Sequence, residues 1–586
     1  MSAIAPLRGS AAIPQAQSAL EPTPLDACDQ AVALLQAHKE AWLAVDIAER
    51  IAILSELREG LEGVAEEWVE AACEAKGIER GSGGEGEEWL GGPFTTMRNL
   101  RLLIQALKEI ADHGRPLAPG PVRTRDNGQL AVKVFPAEIW DKIFYTGFNA
   151  EIWLQEGPNS INLSEFQASA YRKKKEGKGA EAKVALVLGA GNVASIGPMD
   201  ALYKLFVEDQ VCVLKMNPVN DYLGPFIERA FKALVSRGYL QVVYGGAEQG
   251  IHLCQHAGVD EIHITGSDKT HDAIVYGTGE SGRENKANRS PINTRRITSE
   301  LGNVSPVIVV PGPWSQGDVD FHGTNLASML TNNAGFNCNA TRVILTQESW
   351  EKRGALLQRI RDVFKEVKPR RAYYPGAQER FQKFIDAHPE AEQFGRPGED
   401  ELPWTLISGV SPQEDEICVN TEAFCSVFSE MPVSAKSTVE YIREAVRLCN
   451  EEIWGTLNVS IIIHPKSLKD PAIAEAFDEA IKSLRYGAVA VNHWPALAYG
   501  MVTTTWGGYP GHALHDIQSG REVVHNTYMF DRVEKTVVKG PFRVAPKPPW
   551  FVTNKNTAAI ARRLFYFEAK PSWLKVPGIA LATLKG

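Results

Sequence analysis

The fold is decided by residues 184–216, which read VALVLGAGNVASIGPMDALYKLFVEDQVCVLKM. The apolar run at each end has the length and composition of a buried strand, and residues 196–208 between them have helical spacing. The same alternation continues with apolar runs at 240–245 and 261–266. Strands that alternate with helices are typical of parallel βαβ units, so we expect a doubly wound α/β sheet here.

The rest of the chain divides into a second α/β region, a helical N-terminal region, and two segments that predict a loop and a linker. A second α/β region runs from residue 305 to about 495, and its apolar strand candidates are at 305–310, 343–346, 426–431 and 459–464. Upstream, residues 25–76 and 97–111 have apolar side chains at helical spacing. The glycine-rich segment 77–93 predicts a surface loop, and the basic segment 172–183 predicts a solvated linker.

Composition excludes several classes of protein. The chain has 586 residues, with 62 Lys and Arg against 71 Asp and Glu, a net charge of −9. This balance argues against a nucleic-acid binder, which usually carries a basic excess. The eight cysteines form no CxxC pair or Cys/His ladder, so we predict no metal site and a reducing, cytoplasmic compartment. No stretch of about 18 apolar residues predicts a transmembrane helix.

The loop after the first strand of 184–216 has the form of a dinucleotide-binding turn. Gly189, Gly191 and Ala194 fit the GxGxxG/A template. That template also needs an acidic residue about 20 positions later, for a ribose hydroxyl, and this chain has Lys215 near that place. A standard Rossmann site is therefore disfavoured. A tight turn that needs only small residues explains the pattern as well as a dinucleotide-binding turn does.

Three further sites in the sequence could carry chemistry: Cys338, Glu300, and the adjacent pair Gly266 and Ser267. Cys338 is flanked by small and polar residues, which favours an accessible thiol, although free cysteines are more often buried packing residues. Glu300 lies just before the strand candidate at 305–310 and is of interest only if the fold brings it to Cys338. Gly266 and Ser267 close a strand and begin a helix, which suits either a phosphate site or a simple helix cap.

Together these motifs resemble those of the aldehyde dehydrogenase superfamily over roughly residues 130–545. NNAGFNCNATRV at 332–343 resembles the cysteine motif N-x-G-Q-x-C-x-A-x-x-R, with Phe336 in place of glutamine. The other matching segments are ELGNVSP at 300–306, ITGS at 264–267, EAF at 422–424, WGG at 506–508 and SGRE at 519–522. The family's P-W-N segment is here Ala190-Gly191-Asn192, which lacks the tryptophan and keeps the asparagine.

The resemblance implies two doubly wound α/β domains, one cofactor-binding and one catalytic, with a small β extension for oligomerisation. The expected divisions are a flexible tail at 1–24, a helical and NAD(P)-binding region at 25–300, a catalytic domain at 301–505, a return segment with the oligomerisation strand at 506–548, and a C-terminal tail at 549–586. Segments 142–157 and 533–540 are the candidate strands for pairing across subunits of a homodimer or homotetramer.

The resemblance also implies oxidation of an aldehyde to a carboxylic acid with NAD or NADP. Cys338 would form the covalent thiohemiacetal and thioester, Glu300 would activate the hydrolytic water, and Asn192 would donate to the oxyanion. The residues implied in cofactor binding are Lys215, Gly246, Gly266, Ser267, Leu301, Glu422 and Phe424. Pro218 stands where the family usually has a glutamate that disfavours a 2′-phosphate, so the cofactor choice stays open.

Alternatives remain at this stage. One is an acyl-CoA reductase or a CoA-acylating aldehyde dehydrogenase, in which CoA would take the acyl group from Cys338. Another is a non-catalytic protein that has kept the fold. The aromatic and basic C-terminal tail also permits a weak peripheral membrane contact. The residues behind that last expectation are Arg562, Arg563, Phe565, Tyr566, Trp573 and Lys575.

Overall fold

The stretch 184–216 forms the centre of a parallel sheet in the computed structural model, which describes residues 8–11, 13–156, 162–178, 181–413 and 415–586. Across these residues the sheet has six strands, in the spatial order Gly520–Arg521, Arg296–Leu301, Glu261–Gly266, Val184–Leu188, Val211–Lys215 and Leu240–Val243. Only the pairing of Gly520–Arg521 is antiparallel. The predicted doubly wound sheet is confirmed.

The strand order reverses at Val184–Leu188, since the next strand lies on one side of it and Glu261–Gly266 on the other. In such sheets the crevice at the carboxyl ends of the strands, at this switch point, is where ligands bind. The turn at Gly189 to Ala194 and the turn at Gly266 both follow these central strands. The two turns singled out by the sequence therefore lie at one edge of the sheet.

The second α/β region forms a larger sheet. In the described part of the chain it has eleven strands, in the order Glu392–Phe394, Trp404–Ser408, Val427–Val433, Thr341–Gln347, Ser305–Val309, Asn458–Ile462, Ala488–Val491, Val533–Lys539, Asn149–Leu154, Leu130–Phe135 and Val122–Thr124. The strands from Trp404–Ser408 to Val533–Lys539 are parallel, and the pairs beyond either end are antiparallel.

Helices cover these sheets. Their bounds are Leu25–Ala44, Ile47–Lys76, Gly83–Trp89, Thr95–His113, Ile139–Phe144, Ser169–Lys175, Ile196–Phe206, Gly224–Ala230, Lys232–Ser236, Ala247–Gln255, Asp268–Tyr276, Gly279–Ala287, Gln316–Thr331, Arg353–Glu366, Ala377–Ala387, Ile417–Asn420, Thr438–Glu451, Pro471–Ser483, Ala496–Gly500, Thr557–Ala569 and Val576–Leu584. In the described residues no helix has the length and apolar character that crossing a membrane requires.

The prediction of a loop over 77–93 was wrong. Gly83–Trp89 is a helix that continues through a π-helical turn, Leu90–Phe94. Its glycines allow close packing: a Cβ at Gly86 would lie 2.4 Å from the Thr557 side chain on the C-terminal helix. The segment 172–183 likewise begins inside the helix Ser169–Lys175, which is anchored by the buried Tyr171.

The two ends of the chain are more ordered than the sequence predicted. Gly9–Ser10 forms a short parallel strand with Thr421–Glu422, so the tail over 1–24 is not wholly flexible; residues 1–7 and 12 lie outside the described residues. The C-terminal segment packs on its own chain, where Glu568 forms buried ion pairs with Arg98 (2.7 Å) and Arg101 (2.6 Å).

Most tail residues behind the membrane expectation also contact the chain itself. Phe565 is buried, Arg562 pairs with Glu66 at 2.6 Å, and Trp573 packs against Trp140 in a tilted arrangement with ring centroids 4.4 Å apart. The candidate bridging strands pair with each other inside one chain, Asn149–Leu154 against Val533–Lys539. Pairing across subunits stays a prediction.

Candidate active site

Cys338 lies in a loop whose backbone is held in an unusual conformation. The loop follows the helix Gln316–Thr331, and Asn333, Ala334 and Gly335 have φ values of 50°, 55° and 83°. Consecutive residues in the left-handed region are costly unless surrounding contacts hold them there. The Arg342 guanidinium supplies such contacts, because it donates to the carbonyls of Gly335 and Cys425.

The backbone of Cys338 is fixed from the larger sheet. Its carbonyl accepts hydrogen bonds from Ser305 Oγ at 3.0 Å and from Asn458 Nδ2 at 3.2 Å. Cys338 is partly exposed, whereas the other seven cysteines of the chain are buried. The loop therefore presents one accessible thiol on a rigid support.

Glu300 reaches the same point from the smaller sheet. It lies on the strand Arg296–Leu301, is 4% exposed, and its carboxylate accepts a hydrogen bond from the Cys338 thiol. Trp506 Nε1 donates to Glu300 Oε1 at 2.9 Å. The sequence made Glu300 of interest only if the fold brought it to Cys338. The fold does so, although the two residues are 38 positions apart in the chain.

Burial governs the protonation of this pair. Loss of solvent raises the pKa of Glu300 to about 8, although the hydrogen bonds from Trp506 and Cys338 act in the opposite direction. Burial and the neighbouring carboxylate raise the pKa of the Cys338 thiol well above its ordinary value. A carboxyl group with a pKa near neutrality suits a general base.

Two cavities meet at this pair. A cavity of about 660 Å³ with mainly apolar walls, here called the apolar cavity, and one of about 740 Å³, here called the glycine-lined cavity, are both lined by Cys338 and Glu300. Ile196 and Thr265 also line both. A reacting atom at the thiol would be reachable from either side, as a reaction between two bound molecules requires.

The glycine-lined cavity contains most of the residues that the resemblance implied for a cofactor. Those that line it are Lys215, Gly246, Gly266, Ser267, Glu422 and Phe424. Leu301 is the exception: it is fully buried, its N–H donates to Ser519 O at 3.0 Å, and its neighbour Gly302 lines the cavity instead. The resemblance assigns the backbone carbonyl of Leu301 to the cofactor rather than its side chain, which lies in the core, so that role stays a prediction.

Two ionisable groups in this cavity have altered pKa values. Burial lowers the pKa of Lys215 to about 8, and its ammonium group makes no hydrogen bond to a described residue. Burial raises the pKa of Glu422 to about 7, and its Oε1 has no hydrogen-bond partner among the described residues. Buried polar atoms are normally paired, so both groups are candidates for ligand contacts.

Asn192 lies beside the cysteine loop, as predicted, and lines the glycine-lined cavity. Its Nδ2 donates to Phe336 O at 3.0 Å, which leaves the second N–H of the amide for another acceptor. The Asn192 carbonyl accepts hydrogen bonds from Lys76 Nζ (3.1 Å), Asn333 Nδ2 (2.9 Å) and the Tyr373 hydroxyl (3.2 Å). These three contacts fix the position of Asn192.

Sequence reasoning missed Lys76 and Tyr373. Lys76 ends the helix Ile47–Lys76, forms a buried ion pair with Glu88 at 2.8 Å, and lies 116 positions from Asn192. No local pattern distinguishes it from a surface lysine at the end of a helix. The substitution Phe336 in the cysteine motif has a clearer explanation, because its ring packs against Tyr373, Tyr374 and Phe424.

One group of potential metal ligands lies outside both cavities. Ligand atoms of His388, Glu416 and Cys418 lie within 4.8 Å of one another. The two ring nitrogens of His388 contact carboxylates of Glu390 (3.0 Å) and Glu416 (2.9 Å), so these groups are accounted for as ion pairs.

Comparison with known proteins finds similarity to aldehyde dehydrogenases in the part of the chain that forms this site. The model of the aldehyde dehydrogenase family matches residues 207–377, the segment that holds both Glu300 and Cys338. Human 4-trimethylaminobutyraldehyde dehydrogenase is 32% identical over 123 residues, which is 21% of this chain and 22% of that protein. N-succinylglutamate 5-semialdehyde dehydrogenase of Novosphingobium aromaticivorans is 25% identical over 167 residues, 28% of this chain and 32% of that protein. The matches thus span a third or less of these curated relatives.

Solved structures match over nearly the whole chain. An aldehyde dehydrogenase from Mycobacterium tuberculosis complexed with NAD+ has a TM-score of 0.58 and 16% identity, covering 90% of this chain and 92% of that one. The NADP complex of the NADP-dependent glyceraldehyde-3-phosphate dehydrogenase from Bacillus halodurans C-125 has the same score and identity, covering 91% and 99%. At this identity the likeness shows that the chain has the fold of aldehyde dehydrogenases, and the family model is similar to the segment of it that holds the cysteine loop.

Proposed function

We propose that this protein oxidises an aldehyde to a carboxylic acid with NAD or NADP as the hydride acceptor. The observation that carries the proposal is the contact of the Cys338 thiol with the Glu300 carboxylate where two cavities meet. One molecule could reach the thiol through the apolar cavity and another through the glycine-lined cavity. A nucleophile, a base and two access routes are what a covalent oxidation of this type requires.

The glycine-lined cavity fits a dinucleotide. Its Lys215 ammonium supplies a donor, and the unpartnered Glu422 Oε1 supplies an acceptor, for ribose hydroxyls. Ser267 caps the nine-residue helix Asp268–Tyr276, whose N-terminus favours the negative charge of a pyrophosphate. Related folds have been solved with NAD+ and with NADP, and Pro218 leaves room for either, so the proposal includes both.

The first step forms the covalent bond. Glu300 accepts the thiol proton, and the Cys338 sulfur attacks the aldehyde carbon. The negative charge that develops on the oxygen would be stabilised by the free N–H of the Asn192 amide and by the Cys338 backbone N–H. A preorganised donor of this kind typically contributes about 3–4 kcal/mol. Lys76 and Tyr373 act as positioning residues, because they hold the backbone carbonyl of Asn192.

The second step releases the acid. When bound, the nicotinamide would accept the hydride from the covalent adduct, which converts it to a thioester. Glu300 first releases the thiol proton to solvent and becomes a carboxylate again. It then takes a proton from water, the resulting hydroxide attacks the thioester carbon, and the C–S bond breaks to give the acid and the Cys338 thiolate, which regains a proton from Glu300. A carboxyl group with a pKa of about 8 is partly ionised near neutral pH and can fill this role.

A product assay tests this proposal against its nearest alternative. Purified protein is mixed with an aldehyde and NAD+ or NADP+, with and without CoA, and the products are identified by mass spectrometry. Free acid, formed at the same rate with and without CoA, would support hydrolysis. An acyl-CoA product would support a CoA-acylating enzyme, and no reduced dinucleotide with any aldehyde would support a non-catalytic protein.

The pH dependence of activity is expected to report on Glu300. Only ionised Glu300 can accept a proton, so kcat/KM should rise with pH through a midpoint near 8, an apparent value that belongs to the Cys338–Glu300 pair. Trp506→Phe removes a hydrogen bond to the carboxylate. A hydrogen bond to a charged group contributes about 1.5–3 kcal/mol, so the midpoint should move upward by about one pH unit or more.

Trp494→Phe is the matched control for that shift. Trp494 also lines the apolar cavity and donates to a backbone carbonyl of the cysteine loop, Asn339 O at 2.7 Å, but it has no contact with Glu300. Its removal should leave the midpoint unchanged. Equal midpoints for wild type and Trp506→Phe would show that Glu300 does not set the pH dependence.

A further inference from the structure

The apolar cavity is walled by parts of the chain that the family motifs do not include. Beyond Cys338 its wall continues along Ile143 and Phe144, and then along the C-terminal helices Thr557–Ala569 and Val576–Leu584. These helices contribute Ile560, Leu564, Val576, Ile579 and Leu584. The C-terminal tail at 549–586 lies outside the segment that resembles the aldehyde dehydrogenase superfamily. It nevertheless forms one side of the path to the thiol.

Four charged groups of this wall form hydrogen bonds or ion pairs within the chain, although Asp200 Oδ1 has no partner among the described residues. Glu87 pairs with Arg370 (2.6 Å), Asp200 accepts from Thr265 (2.8 Å), Arg543 pairs with Asp318 (3.4 Å), and Lys547 donates to Thr553 O (3.0 Å). His525 also lines the cavity, and burial lowers its pKa to about 4, so it is uncharged at neutral pH. Of the charged wall residues that the structure describes, only Glu300 faces the thiol.

We propose that the aldehyde carries a long apolar chain, which lies along the C-terminal helices while its carbonyl group meets Cys338. This inference rests on the proposed function. About 660 Å³ is within the range of sites that enclose a whole small molecule, so a short aldehyde would leave much of the apolar wall uncovered. A substrate with a terminal charge would have to give up its water against a mainly apolar wall, which costs far more than covering that wall with a hydrocarbon chain.

Chain length tests the proposal. Each buried methylene contributes about 0.8 kcal/mol, which is about fourfold in kcat/KM. Saturated aldehydes from propanal to decanal should therefore show a rise of at least 100-fold in kcat/KM, measured as reduced dinucleotide. A four-carbon aldehyde with a terminal carboxylate should be oxidised no faster than butanal. A flat series, or a preference for the carboxylated aldehyde, would overturn the proposal and leave the proposed function intact.

A pair of neighbouring substitutions locates the chain. Ala580 is exposed and lines the cavity, while Leu581 next to it is 58% exposed and does not. Ala580→Trp should lower kcat/KM for decanal at least tenfold and leave that for propanal unchanged; Leu581→Trp should leave both unchanged. An equal loss for both aldehydes, or none, would overturn this placement. No oxidation of any aldehyde by the wild type would contradict the proposed function itself.

A separate observation concerns residues 8–11 and 13–20, here called the N-terminal arm. Its residues Ser10, Ile13, Pro14, Gln15 and Ala16 line the glycine-lined cavity. Ser10 N donates to Asp268 Oδ1 at 2.9 Å, and Ser10 Oγ donates to Glu422 Oε2 at 3.3 Å. Farther along, Ala19 N donates to Asp221 Oδ2 at 3.0 Å. The arm is thus attached across the cavity at several points.

The arm contacts Gly246 and Glu422, two of the residues that the family resemblance implies for the dinucleotide. Gln15 lies so close to Gly246 that a Cβ there would be 2.0 Å from Gln15 Nε2. Ser10 occupies one oxygen of Glu422. We infer that the arm and the dinucleotide compete for this cavity, so that the arm restrains cofactor binding until it is displaced. This second inference also rests on the proposed function.

Dinucleotide affinity tests the competition. The double variant Ser10→Pro/Gln15→Ala removes the N–H bond to Asp268 and the contact with Gly246; Gln17→Ala, an exposed arm position outside the cavity lining, is the control. Calorimetry with NAD+ and NADP+ should give a Kd at least fivefold lower for the double variant and an unchanged Kd for the control. An equal or higher Kd in the double variant would overturn the competition. A wild type and double variant that both bind neither dinucleotide would instead contradict the proposed function.

Discussion

Replacement of Cys338 by alanine is expected to lower aldehyde-dependent formation of reduced dinucleotide by about 10⁴-fold or more. Removing a nucleophile abolishes the covalent path and leaves only the contribution of binding and orientation, and losses of this size are typical of such variants. Steady-state rates with decanal and either dinucleotide give the measurement. A variant that keeps a rate near that of the wild type would remove Cys338 from the mechanism.

The control separates this effect from a general sensitivity to cysteine loss. Cys449 lies on the helix Thr438–Glu451, is 1% exposed and lines neither cavity. Cys449→Ala should lose some stability, as buried side chains do on truncation, and keep its turnover. Dinucleotide affinity should be unchanged in Cys338→Ala, which would show that the site is otherwise intact.

The convergence of Cys338, Glu300 and Asn192 could be predicted because each lies in a short motif next to a strand. Asn192 and Glu300 lie at the carboxyl ends of parallel strands of the smaller sheet, where residues meet at one edge. Cys338, in contrast, precedes the strand Thr341–Gln347 of the larger sheet and was expected there only from the resemblance. The two sheets were predictable because their strands are apolar runs of the right length.

The supporting residues could not be predicted, because their roles depend on contacts between distant parts of the chain. Lys76 holds Asn192 from the end of a helix in the N-terminal region, and nothing near it in sequence indicates this. The glycines at 83–86 suggested flexibility, whereas Gly86 serves the close approach of Thr557. The N-terminal arm and the C-terminal wall are likewise long-range contacts of segments with no recognised motif.

Glu300→Gln is expected to stop turnover after the covalent step rather than before it. Glutamine cannot accept a proton from water, so we expect kcat to fall by about 10²–10⁴-fold. Formation of the thioester should suffer less. Solvent water can take the thiol proton that Glu300 accepts in the wild type. The loss of the Glu300 charge and hydrogen bond, which raise the pKa of the Cys338 thiol, makes that transfer easier in the variant.

The two effects together predict an accumulated acyl-enzyme. Mixing Glu300→Gln with decanal and dinucleotide should give about one equivalent of reduced dinucleotide per chain, followed by a near stop, and intact mass spectrometry should show the added acyl group. Hydroxylamine should release that group and restore one reactive thiol; Glu300→Gln/Cys338→Ala should give neither the burst nor the mass increase. Steady hydrolysis by the single variant at the wild-type rate would show that another group activates water, whereas loss of both the burst and turnover would show that Glu300 is needed first to ionise the thiol.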